Sequence, residues 1–170
     1  SPPAAGGLFR LLFFPISQAP PPGQGGGLAL GFGMGIRALI VDDEKPARDE
    51  LAYLLGQHPD IEASEADGAD AALASIAVSR PDLVLLDIRM PGRDGFDVLR
   101  EAAGLPHVPL FIFVTAFDQY AIAAFEQNAV DYLLKPVAAE RLAVSLDRIR
   151  QRLADGQAGL TTALGSLLAG

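Results

Sequence analysis

Between residues 36 and 152 the chain switches repeatedly between two periodicities, and this limits the fold more than any other feature. Short runs rich in Ile, Val, Leu or Phe occupy 37–41, 82–86, 109–114 and 130–134, with a weaker run at 61–65. Between and after them lie stretches whose apolar residues recur every three or four positions. Ala47, Leu51, Leu54 and Leu55 form one such stripe; Ala69, Leu73, Ile76 and Ala77 form another; Leu142, Leu146, Ile149 and Leu153 form the last. The strong runs are nearly continuous in apolar residues, as expected of strands covered by helices on both faces. Five strand–helix units predict an α/β domain with a parallel, doubly wound sheet. Pro46 suits the first turn of the first helix, and Gly104 with Pro106 marks the end of the third.

The flanks are different. Residues 1–35 carry one charged residue, Arg10, yet nine of the 18 glycines and six of the 13 prolines. Ordering such a segment costs entropy that no core burial offsets, so it is expected to be a flexible or non-native extension. Its apolar stretch "GGLFRLLFFPIS" is broken by Arg10 and Pro15 and is too short to span a membrane. The glycines of "GLALGFGMG" precede the first strand instead of joining a strand to a helix, so they fail the dinucleotide-binding pattern. Residues 153–170, "LADGQAGLTTALGSLLAG", lose charge and regain glycine. They are expected to be a linker, or a short helix whose Leu160, Leu164 and Leu168 need a partner. The absence of cysteine excludes disulfides, thiolate metal sites and cysteine nucleophiles. A net charge of -8 argues against direct phosphate-backbone binding by this chain.

The strand-like runs end on charged or polar groups. Asp42 and Asp43 follow the first, Asp87 the third, Thr115 ends the fourth, and Lys135 with Pro136 follows the fifth. Doubly wound sheets bind ligands beyond the carboxyl ends of their strands, so these side chains form the candidate site. Three carboxylates in one crevice repel, and a divalent cation is expected to hold them together. Mg2+ fits, because it takes oxygen ligands, needs few from protein and keeps several waters. A hydroxyl and an ammonium beside them suit a phosphoryl group, whose charge must be neutralised on several sides.

With "LIVDDE", "LVLLDIRMPGRDGF", "FIFVTAF" and "DYLLKP" in this order, the segment 36–152 resembles the receiver domain of two-component response regulators. "DDEKPARDEL" and "TAFDQYAIAAFEQNAVDYLLKPV" are most similar to receivers of the LytR/AlgR type, which carry a C-terminal LytTR DNA-binding domain. The resemblance implies a flavodoxin-like (βα)5 fold with strand order 2-1-3-4-5. It implies that Asp87 accepts phosphate from a sensor histidine kinase. It also implies that Asp43, Asp87 and the carbonyl of Arg89 bind Mg2+ directly, with Asp42 acting mostly through water. Lys135 would pair with the phosphoryl group, Thr115 would swing towards it, and Tyr132 would follow. The output would be homodimerisation through the face of the fourth helix, fifth strand and fifth helix, with Arg141, Asp147 and Arg148 contributing. DNA would be reached only through an effector domain outside this chain, and the location would be cytoplasmic, away from membranes.

Such a protein would not be an enzyme on external substrates. A phosphatase of the haloacid dehalogenase type needs a second aspartate two residues after its nucleophile, where Arg89 stands. A flavin module needs a hydroxyl- and glycine-rich phosphate loop where "DDEKPA" stands. A stand-alone or degenerate receiver acting by protein–protein contact is the alternative.

Overall fold

The structure, a computed structural model, describes residues 35–169. The proposed extension therefore lies outside the described residues, except for Gly35. The order is β1 (Ile36–Val41), α1 (Lys45–Leu55), β2 (Ile61–Ala66), α2 (Ala69–Ser79), β3 (Leu83–Leu86) and α3 (Gly95–Ala102). There follow β4 (Leu110–Thr115), α4 (Ala121–Glu126), β5 (Asp131–Leu134) and α5 (Ala139–Ala169). All strand pairs are parallel, and the sheet order is β2-β1-β3-β4-β5. The expected α/β class, parallel sheet and strand order are all present.

Alternation along each strand sends successive side chains to opposite faces. Leu39, Val41, Val84, Leu86, Phe111 and Phe113 face one layer, where Ala72 and Ile76 of α2 and Phe96, Leu99 and Ala102 of α3 cover them. Ala38, Ile40, Leu83, Leu85, Ile112, Val114 and Leu133 face the other, under Leu51 and Leu55 of α1 and Leu142, Leu146 and Ile149 of α5. Both faces are thus dry, which explains the continuous apolar runs. The weak run at 61–65 is an edge strand whose residues 62–65 are exposed.

The helices begin and end for local reasons. Pro46 sits in the first turn of α1, where its missing N–H costs nothing. Asp94 and Asp97 cap α3 reciprocally, each carboxylate accepting the other's backbone N–H at 2.9 Å. Arg80 ends α2 in the left-handed conformation. One boundary differs from the sequence reading. Residues 153–169 are not a separate short helix but a continuation of α5, which runs for 31 residues. No proline follows Pro136, and an isolated glycine costs a helix only about 1 kcal/mol, so nothing local stops it. Among the described residues, no helix is long and apolar enough to cross a membrane.

A buried carboxylate joins β5 to α5. Asp131 is 1% exposed, yet it accepts from Arg141 (2.6 and 2.8 Å), Arg148 (2.9 Å), Ser145 (2.6 Å) and the Tyr132 N–H (2.8 Å). Burial opposes its charge, but the bonds from Arg141, Ser145 and Tyr132 outweigh that and hold its pKa down at about 2. Because the folded pKa lies below the ordinary 3.8, this stability is present at neutral pH and is lost as pH falls through the folded pKa. The shift corresponds to about 2 kcal/mol, of which roughly half should be gone by pH 3. Asp131→Asn should therefore be less stable than wild type by about 2 kcal/mol at pH 7, with the gap narrowing towards pH 3. Urea unfolding of both proteins across that range checks it; a gap independent of pH would exclude this role for Asp131.

Candidate functional site

Sheet register builds the site. Val41 pairs with Leu86, so Asp42 and Asp87 leave β1 and β3 side by side, and the Asp87 N–H donates to the Val41 carbonyl at 3.0 Å. The chain passes from β1 outwards to β2 and then back across to β3, so the strand order reverses at this point. Thr115 pairs with Leu134 at the end of β4, and the Lys135 N–H donates to the Thr115 carbonyl at 2.9 Å. Four of the residues singled out from the sequence are thereby gathered at one end of the sheet by backbone pairing alone.

Lys135 crosses the crevice. Its Nζ lies 2.6 Å from Asp42 Oδ2 and 3.1 Å from Asp87 Oδ2. Asp42 is 1% exposed and uses its other oxygen to accept the Glu44 N–H at 2.9 Å. Asp87 is 6% exposed, and its Oδ1 accepts the Ile88 N–H at 2.7 Å. Asp43 is exposed at the rim. Carboxylate oxygens of Asp42, Asp43 and Asp87 lie within 4.8 Å of one another, an all-oxygen donor set that suits a hard divalent cation. Burial pushes the Asp87 carboxyl up from the ordinary carboxylate range, against the pull of the Lys135 ammonium. Burial also works against the charge on Lys135, but hydrogen bonding to Asp42 and the field of Asp87 hold its pKa above the usual lysine value.

The remaining singled-out residues lie around this centre. Thr115 is fully buried and its Oγ1 accepts the Phe117 N–H at 3.4 Å. Half-buried Tyr132 donates its hydroxyl to the Phe117 carbonyl. The Arg89 side chain turns outwards, donating to the Tyr120 hydroxyl at 3.2 Å with its guanidinium 5.4 Å from the centre of the Phe117 ring. The arginines expected on a dimer face are engaged within the chain: Arg141 and Arg148 on Asp131. Asp147 is engaged by Arg150.

Two supporting residues escaped the sequence reading. Arg48 donates to the Asp42 carbonyl at 2.8 Å and pairs with Glu65 of β2 at 3.0 Å, which fixes the loop carrying the acidic pair. Nothing in the local pattern marked it. Gly95, the first residue of α3, donates to the Ile88 carbonyl at 2.8 Å. A Cβ there would lie 2.4 Å from the Asp87 carbonyl oxygen, 3.0 Å from Ile88 Cα and 3.1 Å from the Phe113 ring.

A parallel doubly wound domain with an acidic crevice and one crossing lysine is the class that this geometry defines. Residues 38–147 match the family model described as the response regulator receiver domain, and the chain belongs to that family. It is 44% identical over 117 residues to the sensory transduction protein LytT of Bacillus subtilis, a match covering 68% of this chain and 48% of that protein. It is 45% identical over 117 residues to the transcriptional regulatory protein BtsR of Salmonella typhi, covering 68% and 48%. The chain thus spans about half the length of the curated relatives it matches. The response regulatory domain of protein MrkE from Klebsiella pneumoniae superposes with a TM-score of 0.65 at 30% identity, covering 71% of this chain and 99% of that one.

Gly95 offers a direct check on how the site is held. Gly95→Ala forces its new methyl group against backbone that cannot move aside, and should destabilise the domain by about 2–3 kcal/mol. Gly68→Ala, where a Cβ meets nothing within 4 Å and φ is extended, should stay within about 1 kcal/mol of wild type. Urea unfolding of the pair makes the comparison; equal losses would mean that Gly95 is not closely packed under Asp87.

Proposed function

We propose that this chain is a phosphorylation-controlled switch in which Asp87 accepts a phosphoryl group from a phosphohistidine of a sensor kinase. The observation that carries this reading is the single ammonium of Lys135 bridging Asp42 and Asp87 at the strand-order reversal. In the transfer, an Asp87 carboxylate oxygen forms a bond to phosphorus while the phosphorus–nitrogen bond breaks. The electron pair returns to the imidazole, and the product is an acyl phosphate. Lys135 is placed to neutralise charge on the transferred group, and Thr115 to donate its hydroxyl to it once the β4–α4 loop shifts. Asp43, Asp87 and the Arg89 carbonyl would hold Mg2+, with Asp42 behind them. The ion would supply positive charge that lets an anionic carboxylate approach an anionic phosphoryl group. The protein would catalyse only its own phosphorylation and dephosphorylation.

The readout would be association. Ile122 and Phe125 of α4, Leu134 of β5 and Val144 of α5 are exposed apolar side chains on neighbouring elements. Since Arg141 and Arg148 are committed to Asp131, these apolar groups are the better candidates to carry a dimer contact. Phosphorylation contributes to dimerisation only through its differential stabilisation of the associating state. The likeness to LytT and BtsR supports a cytoplasmic regulator whose LytTR-type DNA-binding domain lies outside this chain.

Incubation with Mg2+ and a small acyl-phosphate donor should add one phosphoryl group to wild type, none to Asp87→Asn, and none after chelation, as read by intact mass. Modification of Asp87→Asn at the wild-type rate would overturn the assignment. Phe125→Glu should take up phosphate as wild type does but lose phosphorylation-dependent dimerisation in sedimentation velocity; a dimer undiminished by that change would place the interface elsewhere.

A further inference from the structure

Arg89 follows Asp87 by two residues, yet its side chain is occupied by the opposite loop. It donates to the Tyr120 hydroxyl at 3.2 Å and stacks over Phe117, 5.4 Å from the ring centre. Phe117 and Tyr120 meet edge-on at 6.3 Å, and Tyr120 meets Phe96 of α3 edge-on at 6.2 Å. Phe96 in turn packs on Phe113 of β4 at 4.9 Å. A continuous aromatic row therefore runs from Phe113 in the core to the exposed Phe117 and ends under the Arg89 guanidinium, which joins the β3–α3 and β4–α4 loops. Among the described residues, side chains from outside its own elements anchor the β4–α4 loop in two places: this row with Arg89, and the Tyr132 hydroxyl on the Phe117 carbonyl.

We propose that Tyr120 is a positioning residue for phosphoryl uptake: it parks the Arg89 guanidinium across the mouth, and the phosphoryl group on Asp87 competes for that guanidinium. The proposal rests on Asp87 being the phosphoacceptor. The exchange follows from relative strengths. Parked, Arg89 has a neutral hydroxyl and a half-exposed ring face as partners. A phosphoryl oxygen offers it a charge-assisted hydrogen bond, about twice as strong as a neutral one and matched to the guanidinium fork. Moving Arg89 to the phosphoryl group leaves the ring contacts of Tyr120 but takes away their guanidinium, which loosens the β4–α4 loop at the moment when Thr115 and Tyr132 have to shift. Tyr120 thus opposes modification of the resting protein and links Arg89 to the loop that moves.

Tyr120→Phe keeps the ring contacts with Phe96 and Phe117 and deletes only the bond that parks Arg89. In the full chain it should raise the initial rate of phosphorylation by a small acyl phosphate, and tighten binding of Mg2+–beryllofluoride, by about fivefold each. Arg89→Ala removes the parked group, so adding Tyr120→Phe to Arg89→Ala should change neither quantity further. Equal rates and affinities for wild type and Tyr120→Phe would overturn the proposal. An equal fivefold effect in the Arg89→Ala background would also overturn it, because Tyr120 would then act without Arg89. If wild type itself takes up neither phosphate nor beryllofluoride, the phosphoacceptor assignment fails, and this proposal fails with it. Normal uptake by wild type with no Tyr120→Phe effect removes this proposal alone.

Discussion

Asp42 and Asp87 stand side by side because β1 and β3 pair in parallel with Val41 opposite Leu86, and both carboxylates are almost wholly out of water. At the separation that the acidic cluster sets, within 4.8 Å, two such charges repel by about 3.5 kcal/mol or more at an effective dielectric constant of about 20. The ammonium of Lys135 offsets that repulsion by contacting both. Lys135 reaches them because β5 lies beyond β4 and the Lys135 N–H is tied to the Thr115 carbonyl. The crevice is therefore held by charge balance, and adding charge at Asp87 must redistribute contacts among Lys135, Thr115 and the loops around them.

β5 joins two ionic centres. Lys135 follows its carboxyl end, while Asp131 begins it and gathers Arg141, Ser145 and Arg148 of α5. Tyr132 lies between them and touches the β4–α4 loop through Phe117. The strand is only four residues long. Its neighbours α4 and α5 carry the exposed apolar side chains. The crevice and that surface are thus joined over a short distance, by hydrogen bonds to one strand and one loop.

Much of this could be read in the chain without coordinates. The continuous apolar runs gave four strands correctly within a residue or so, and the polar residues at their ends named the crevice. The edge strand β2 was faint because an exposed strand needs no apolar residues. The length of α5 was missed because falling charge and returning glycine resemble a linker, although neither terminates a helix. Arg141 and Arg148 were expected to contribute to a dimer face. Their spacing put them on one side of a helix, but only the packing of α5 against β5 brings Asp131 under both.

The sequence by itself determined the layering and the contents of the site, since hydrophobic periodicity is a local property and strand-end residues travel with their strands. Tertiary structure decided the relationships: which carboxylate Lys135 touches, that Arg48 holds the Asp42 loop, that Gly95 must lack a side chain, and that Arg89 reaches Tyr120. Each joins residues distant in the chain through strand register or loop approach. Such contacts depend on the angles and distances between packed elements, which no local pattern encodes.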